Sequence, residues 1–244
     1  MSTPGARRER PRPGYPRPQR AQPFEAVGTW GVVLAAGRGT RFGGAKQFAR
    51  LGGRRLVDMV VDTMRTACDG IVVVLPPDER WSGPPVDAAV TGGSTRAASV
   101  RAGLAAVPAA AEIVVIHDPA HPLASRGLFD AVVRAVRDGA DAAAPGIVLD
   151  DPIKRVGDGA VVTETIPRVG TRLIQTPHAF RATVLRAAHD GEPDAVEDTE
   201  LVAAHGGTVV IVPGDPRNLH VTTPDHLAMA ERLEGPGSPR NPDC

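Results

Sequence analysis

The stretch from Gly31 to Gln47, GVVLAAGRGTRFGGAKQ, constrains the fold of this chain more than any other. An apolar run from Val32 to Ala36 breaks into a loop that holds four glycines and three basic residues. Apolar runs of this length are typical of buried parallel strands, and glycines let the backbone turn sharply and approach a ligand closely. Consecutive amide groups in such a loop can line an anion-binding concavity, and Arg and Lys add full charge. The stretch therefore predicts a nucleotide triphosphate site at the carboxyl end of the first strand.

Three other interpretations of the loop explain it less well. The dinucleotide fingerprint G-x-G-x-x-G is missed by one position, because Gly43 falls one place late. The Walker A pattern fails, since Lys46 is followed by Gln47 and not by a Ser or Thr that holds magnesium. An ordinary strand-to-helix turn with solvated arginines is the remaining alternative, but it leaves three cations in one glycine loop unexplained.

Alternating strand-like and helix-like segments predict an α/β fold with a doubly wound, mostly parallel, Rossmann-like sheet. The chain of 244 residues is long enough for one large domain, expected over residues 28–234. Residues 1–27 are rich in Pro and Arg, which predicts a disordered tail, and residues 235–244 are expected to be loose. Residues 153–165 alternate between apolar and polar types, which predicts a hairpin in a protruding β-arm over about 152–175.

Charge and composition exclude several classes of protein. Residues 1–20 carry six arginines against one glutamate, which leaves a net charge of −5 on the rest of a chain whose formal total is zero. A phosphate ligand therefore needs a local basic cluster. Aromatic residues make up 3% of the chain, too few for nucleic-acid stacking, and no apolar run approaches the length of a membrane span. Two cysteines without metal-ligand spacing, and no secretory signal, favour a cytoplasmic protein.

A second motif begins at Gly92, in the sequence GGSTRAASVRAGL. Locally it predicts a glycine turn that leads into a helix, whose N-terminus favours anions. Further along, a central strand ends in HDPAHP, which places Asp118 at the expected ligand crevice. The two histidines of HDPAHP have the spacing of a zinc pair, but the first proline interrupts any helix, so no metal site made by the protein alone is predicted.

The two motifs together resemble the sugar-phosphate nucleotidyltransferases, and most of all the 2-C-methyl-D-erythritol 4-phosphate cytidylyltransferases of isoprenoid biosynthesis. GGSTRAASVRAGL matches that family's G-G-x-x-R-x-x-S-V-x-x-G-L at every specified position, and the likeness runs from about Trp30 to Leu233. The resemblance implies transfer of a cytidylyl group from CTP to an alditol phosphate, with release of pyrophosphate. It also implies Mg²⁺ bound mainly through the CTP phosphates, and a homodimer in which the arm completes the partner's site.

The resemblance assigns roles to particular residues. Arg41 and Lys46 are the expected catalytic pair, which stabilises charge at the α-phosphate. Asp118 and Arg168 are expected to help place the acceptor. The full set of expected contacts comprises Ala35, Ala36, Gly37, Gly39, Gly93, Ser99 and Asp118 for the nucleotide, and Arg168, Thr176, His121 and His220 for the acceptor.

This chain departs from the family pattern in two places. Arg41 and Lys46 are five positions apart where the family usually has seven, a spacing that resembles the molybdenum-cofactor nucleotidyltransferases. In the acceptor half, an Arg is replaced by His121, a Thr by Pro152 and a Lys by His220. Three hypotheses follow: the family reaction with the histidines partly replacing lost cations, the same chemistry on another polyol phosphate such as ribitol 5-phosphate, or a CTP-binding paralogue with little turnover.

Overall fold

The structure is a computed structural model, and it describes residues 28–37, 39 and 42–235. The predicted disordered N-terminal tail and nearly all of the predicted C-terminal tail lie outside these residues. The same holds for three residues of the glycine loop, Arg38, Thr40 and Arg41.

Strands and helices alternate along the described residues. The strands are β1 (Thr29–Leu34), β2 (Arg50–Leu51), β3 (Arg54–Arg55), β4 (Gly70–Leu75), β5 (Ala88–Thr91), β6 (Ile113–His117), β7 (Ala142–Val148), β8 (Ile153–Val156), β9 (Val162–Ile166), β10 (Arg172–Ile174), β11 (His178–Arg181) and β12 (Val209–Pro213). The α-helices are α1 (Leu56–Met64), α2 (Arg96–Ala106), α3 (Arg126–Arg137), α4 (Ala182–Ala188), α5 (Asp198–Ala204) and α6 (Pro224–Glu234). No helix of the described part is long and apolar enough to cross a membrane.

One large sheet carries the fold, in the strand order β10-β7-β11-β6-β1-β4-β5, with β12 also paired to β7. β6, β1, β4 and β5 are parallel neighbours, and β12 is parallel to β7. β11 and β10 run antiparallel to their neighbours. β4 is buried along its whole length, as expected of a parallel strand that is covered on both faces. The prediction of a mostly parallel α/β sheet is confirmed.

Helices cover both faces of this sheet, as the doubly wound interpretation predicts. On one face, α1 and α3 bury side chains such as Val60, Met64 and Phe129 against the strands. On the other face, α2, α4 and α5 do the same with side chains such as Val100 and Leu185. Full burial of each such side chain contributes about 1.5–3 kcal/mol, so the two clusters hold the parallel strands rigidly in place. The carboxyl ends of these parallel strands meet at one edge of the sheet, where a ligand crevice is expected.

The predicted arm forms, but it is shorter than the predicted range of 152–175. β8 and β9 pair antiparallel from Ile153 to Ile166 and make a hairpin of their own. β10 already belongs to the main sheet, because Arg172 pairs with Val148 of β7. Backbone pairing with β7 thus returns the chain to the domain before residue 175.

Candidate active site

A cleft of about 800 Å³ opens at the carboxyl edge of the parallel strands. Its walls are the segments that follow four of these strands: the glycine loop after β1, residues 76–78 after β4, residues 92–95 after β5, and Asp118 after β6. Ligands of doubly wound sheets bind at this edge, and the volume is in the range of small-molecule sites. The cleft is therefore the candidate active site.

Gly39 closes the glycine loop in a conformation that only glycine accommodates. Its φ is +59°, and its carbonyl accepts hydrogen bonds from the N–H groups of Phe42 at 2.9 Å and Gly44 at 3.2 Å. A Cβ atom on Gly39 would lie 1.8 Å from the carbonyl oxygen of Gly44. The loop can therefore fold back on itself only while this position lacks a side chain.

Gln47 holds the same loop through its side chain, a role that the sequence analysis missed. The residue is 3% exposed, and its Nε2 donates to the carbonyl oxygens of Ala35 at 2.8 Å and Gly37 at 2.9 Å. Both oxygens are thereby occupied and are kept from facing an anionic ligand. The sequence shows only a polar residue after Lys46, and nothing in its spacing indicates which backbone groups it binds.

Lys46 is half-buried in the wall of the cleft, at the start of the short 3-10 turn Lys46–Phe48. It is close enough to the buried His121 to lower the pKa of that imidazole. The cleft therefore has a cation beside the glycine loop, as an anion site requires. Arg41, the other residue of the expected catalytic pair, lies outside the described residues, and its role remains a prediction.

Most of the expected nucleotide contacts meet in this cleft. Ser99 lies at the start of α2, where its hydroxyl donates to the Thr95 carbonyl at 3.0 Å. Ala35 is buried behind the cleft, and its N–H donates to the Val74 carbonyl at 2.8 Å. The expected residues that line the cleft are Ala36, Gly37, Gly39, Gly93, Ser99 and Asp118. Their contacts with a nucleotide remain predictions.

The expected acceptor residues cluster around Thr176, next to Asp118. The Thr176 hydroxyl oxygen lies 2.9 Å from Nδ1 of His117 and 3.3 Å from Nδ1 of His121, and it accepts the Asp118 N–H at 3.3 Å. His121 stacks on His220, with ring centroids 4.5 Å apart and an interplanar angle of 17°. The fold thus assembles three expected acceptor residues beside Asp118, although they are far apart in sequence.

Burial decides the charge of these imidazoles. It lowers the pKa of His117 to about 4, although Asp118 and the His121 carbonyl act in the opposite direction. It also lowers the pKa of His121 well below the usual value, and the charges of His220, His117 and Lys46 lower that pKa further. His121 is therefore neutral at pH 7 in this fold, which argues against the hypothesis that it replaces a lost cation. Its contact with the acceptor remains a prediction.

Arg168 is not brought to the cleft of its own chain. It follows the hairpin, is exposed, and donates from its guanidinium to the Asp150 carbonyl at the base of the arm. Pro152, which stands where the family has a Thr, is exposed at the same base. An acceptor role for Arg168 therefore requires a site that the chain does not build alone.

The chain is similar to known proteins over most of its length. Residues 30–234 match the family model described as 2-C-methyl-D-erythritol 4-phosphate cytidylyltransferase. A protein of that name from Nocardia farcinica is 39% identical over 212 residues, which cover 83% of this chain and 92% of the relative. A crystal structure of the protein of the same name from Thermus thermophilus is 34% identical, has a TM-score of 0.72, and is matched over 83% of this chain and 97% of its own.

A further relative is longer than this chain. The "Bifunctional enzyme IspD/IspF" of Solidesulfovibrio magneticus is 38% identical over 234 residues, which cover 86% of this chain but 58% of the relative. The chain thus spans somewhat more than half the length of the bifunctional relatives it matches.

Proposed function

This chain belongs to the 2-C-methyl-D-erythritol 4-phosphate cytidylyltransferase family, and from that membership we propose that it transfers a cytidylyl group from CTP to an alditol phosphate. The preferred acceptor is 2-C-methyl-D-erythritol 4-phosphate, and the products are the CDP-alditol and pyrophosphate, in the non-mevalonate route to isoprenoid precursors. The observation that carries the proposal is the cleft that combines the closed glycine loop with Lys46, Gly93 and Ser99.

The proposed reaction is attack of an acceptor phosphate oxygen on the α-phosphorus of CTP, with pyrophosphate as the leaving group. Catalysis of this kind depends on positioning and on stabilisation of negative charge. A cation such as Lys46, at about 4 Å from a unit negative charge, contributes about 4 kcal/mol of attraction at an effective dielectric of about 20. Arg41 would act in the same way. Gly93 and Ser99 would select the base, because a wrong base leaves buried polar groups unpaired.

Mg²⁺ fits this cleft as an ion bound mainly through the substrate. Among the described residues, no group of three His, Cys, Asp or Glu side chains is placed to hold a metal. Mg²⁺ commonly uses one or two carboxylates together with substrate phosphates and water, and Asp118 in the cleft wall offers such a carboxylate. When bound, the ion would neutralise charge on the phosphates.

A homodimer would explain the apolar surface around the arm. Large apolar side chains are exposed there to between 53% and 96%, namely Val148, Val156, Val161, Val162, Val169 and Leu173. Apolar groups concentrated in one region are typical of an interaction site. Pairing with a second copy would cover them and would carry Arg168 towards the partner's acceptor site. Sedimentation equilibrium of the wild type and of Val162→Glu tests this: the wild type should be a dimer that the substitution weakens, and a wild-type monomer would contradict it.

Another polyol phosphate, such as ribitol 5-phosphate, is the second candidate acceptor. It is favoured by the neutral, buried His121, which stands where the family has an Arg. A neutral imidazole is a weaker phosphate anchor than a guanidinium, so the residues expected to bind the acceptor depart from the family pattern, whereas GGSTRAASVRAGL matches it.

Pyrophosphate release tests the proposed function directly. Full-length protein is mixed with CTP, Mg²⁺ and one acceptor at a time, chosen from a panel of polyol phosphates. We expect release with 2-C-methyl-D-erythritol 4-phosphate, and loss of release without unfolding in Lys46→Ala. Arg134→Ala, an exposed change on α3 away from the cleft, is the matched control and should keep full activity. CTP binding without release on any acceptor would indicate a paralogue with little turnover, and unchanged turnover in Lys46→Ala would remove Lys46 from the mechanism.

A further inference from the structure

Arg96 lies in the wall of the cleft, directly after the Gly92–Thr95 turn, and no role has been given to it so far. Its Nη1 donates to Oδ2 of Asp198 at 2.7 Å, across 102 positions of the sequence. Its other N–H groups have no hydrogen-bond partner among the residues that the structure describes. A guanidinium carries five donors in a rigid plane, so donors remain for a ligand in the cleft.

Asp198 fixes the position of this guanidinium, and a second hydrogen bond fixes the Asp198 carboxylate in turn. The carboxylate is 1% exposed, and its second oxygen accepts a hydrogen bond from Nε2 of His189, also buried, at 3.0 Å. Burial by itself raises the pKa of Asp198, but the hydrogen bond from His189 and the charge and hydrogen bond of Arg96 outweigh burial and lower that pKa. The carboxylate therefore stays ionised at neutral pH, and the chain His189–Asp198–Arg96 sets the direction of the guanidinium.

The charge of this pair decides what kind of group it suits. Asp198 neutralises Arg96 at close range, so the pair as a whole is a weak anchor for a phosphate. Lys46, by contrast, makes no ion pair among the described residues, so no neighbouring carboxylate offsets its attraction for an anion. A neutralised but rigid donor suits an uncharged acceptor such as a carbonyl oxygen. Gly93 and Ser99, which lie on the same turn and helix as Arg96, form the part of the cleft where the base is expected.

We propose that Arg96 binds the base of the nucleotide by donating a hydrogen bond to a pyrimidine carbonyl oxygen, and that Asp198 and His189 are positioning residues for its guanidinium. The inference rests on the proposed function, since it takes the ligand to be a pyrimidine nucleotide. It gives the cleft two ends of different character: Lys46 and the glycine loop for the phosphates, and Arg96 for the base.

Calorimetric titration of the full chain with CTP and with inorganic triphosphate separates these two ends, because triphosphate lacks the base. The variants are Arg96→Lys, which keeps the charge but loses the planar fork, and Asp198→Asn, which removes the support. Arg101→Lys is the matched control, on the same helix but bonded to the Pro193 carbonyl and not part of the described cleft lining. We expect both variants to lose about tenfold or more in CTP affinity, the loss of one hydrogen bond from a charged donor, with no loss in triphosphate affinity.

The remaining outcomes overturn the inference in distinguishable ways. CTP affinities within about twofold of the wild type in both variants would show that Arg96 does not bind the base. Equal losses for CTP and triphosphate, with a lower melting temperature, would show that the ion pair only maintains the fold. Loss in Arg96→Lys alone would remove the positioning role of Asp198. A wild-type protein that binds triphosphate but not CTP would contradict the proposed function itself.

Discussion

Replacement of Gln47 by Leu tests whether one buried side chain orients the glycine loop. Leu has a similar volume but cannot donate, so the carbonyls of Ala35 and Gly37 lose bonds of 2.8 and 2.9 Å. The carbonyl of Ala35, in a residue that is 1% exposed, is left unpaired at a cost of about 2 kcal/mol. The carbonyl of the exposed Gly37 can bind water instead, so loss of its bond to Gln47 costs only about 0.5–1 kcal/mol of stability. The sum, about 3 kcal/mol, corresponds to a melting temperature lower by about 6–12 °C.

The Gln47→Leu variant should also lose catalytic activity, and by more than its lower stability explains. Misplacement of a positioning element by about 1 Å can cost about 100-fold in rate, so we expect kcat/KM to fall by about 10- to 100-fold at a temperature where the variant is folded. Asp87→Ala is the matched control: it removes the acceptor of the partly buried Ile71 N–H, at 2.8 Å, near the amino-terminal end of β4 and away from the cleft. It should be destabilised but fully active. If Gln47→Leu were as active as Asp87→Ala, the Gln47 side chain would not be needed to orient the loop.

Three further predictions concern glycine and histidine positions. Gly39→Ala places a Cβ atom 1.8 Å from the carbonyl oxygen of Gly44 and should weaken CTP binding by more than about tenfold. Gly43→Ala, at a φ of +84° but with open space around the Cβ, should change CTP binding by less than about threefold. Similar losses in both variants would show that the close contact at Gly39 does not matter for binding. The pKa values of His117 and His121 are lowered in the fold, so the unfolded chain takes up protons first and stability falls as the pH drops below about 6.5. With a pKa of about 4, His117 alone accounts for a loss of up to about 3 kcal/mol in the free energy of unfolding by pH 4. Urea denaturation at about pH 7.5 and pH 5 measures this loss, and equal stabilities at the two pH values would contradict it. Because His121 is already neutral, KM for the acceptor should stay constant between about pH 7 and pH 8, and a rise of more than about threefold would restore a cationic role for it.

Much of the fold and part of the site follow from short stretches of sequence. The apolar run before Gly37 predicts a buried strand, and GGSTRAASV predicts a glycine turn leading into a helix; both are confirmed. Lys46, Gly93 and Ser99 all follow parallel strands in the sequence and line the cleft in the structure, because the carboxyl ends of neighbouring parallel strands meet at one edge of the sheet. The end of the arm was less predictable, since whether residues 172–174 continue a hairpin or join β7 depends on a partner strand elsewhere in the chain.

Short stretches of residues dictate where the backbone can turn, which segments must be buried and which loops follow the carboxyl ends of the strands, because these properties depend on a few neighbouring residues. The partners of the polar side chains depend instead on how the folded layers meet. Asp198 meets Arg96 across 102 positions, and His121 stacks on His220 from a distant loop. The tertiary structure also sets the charge state of His121, since desolvation depends on everything packed around the ring. Hydrogen bonds and burial at these positions depend on how the layers of helix and sheet pack, and a local pattern of residues cannot predict that packing.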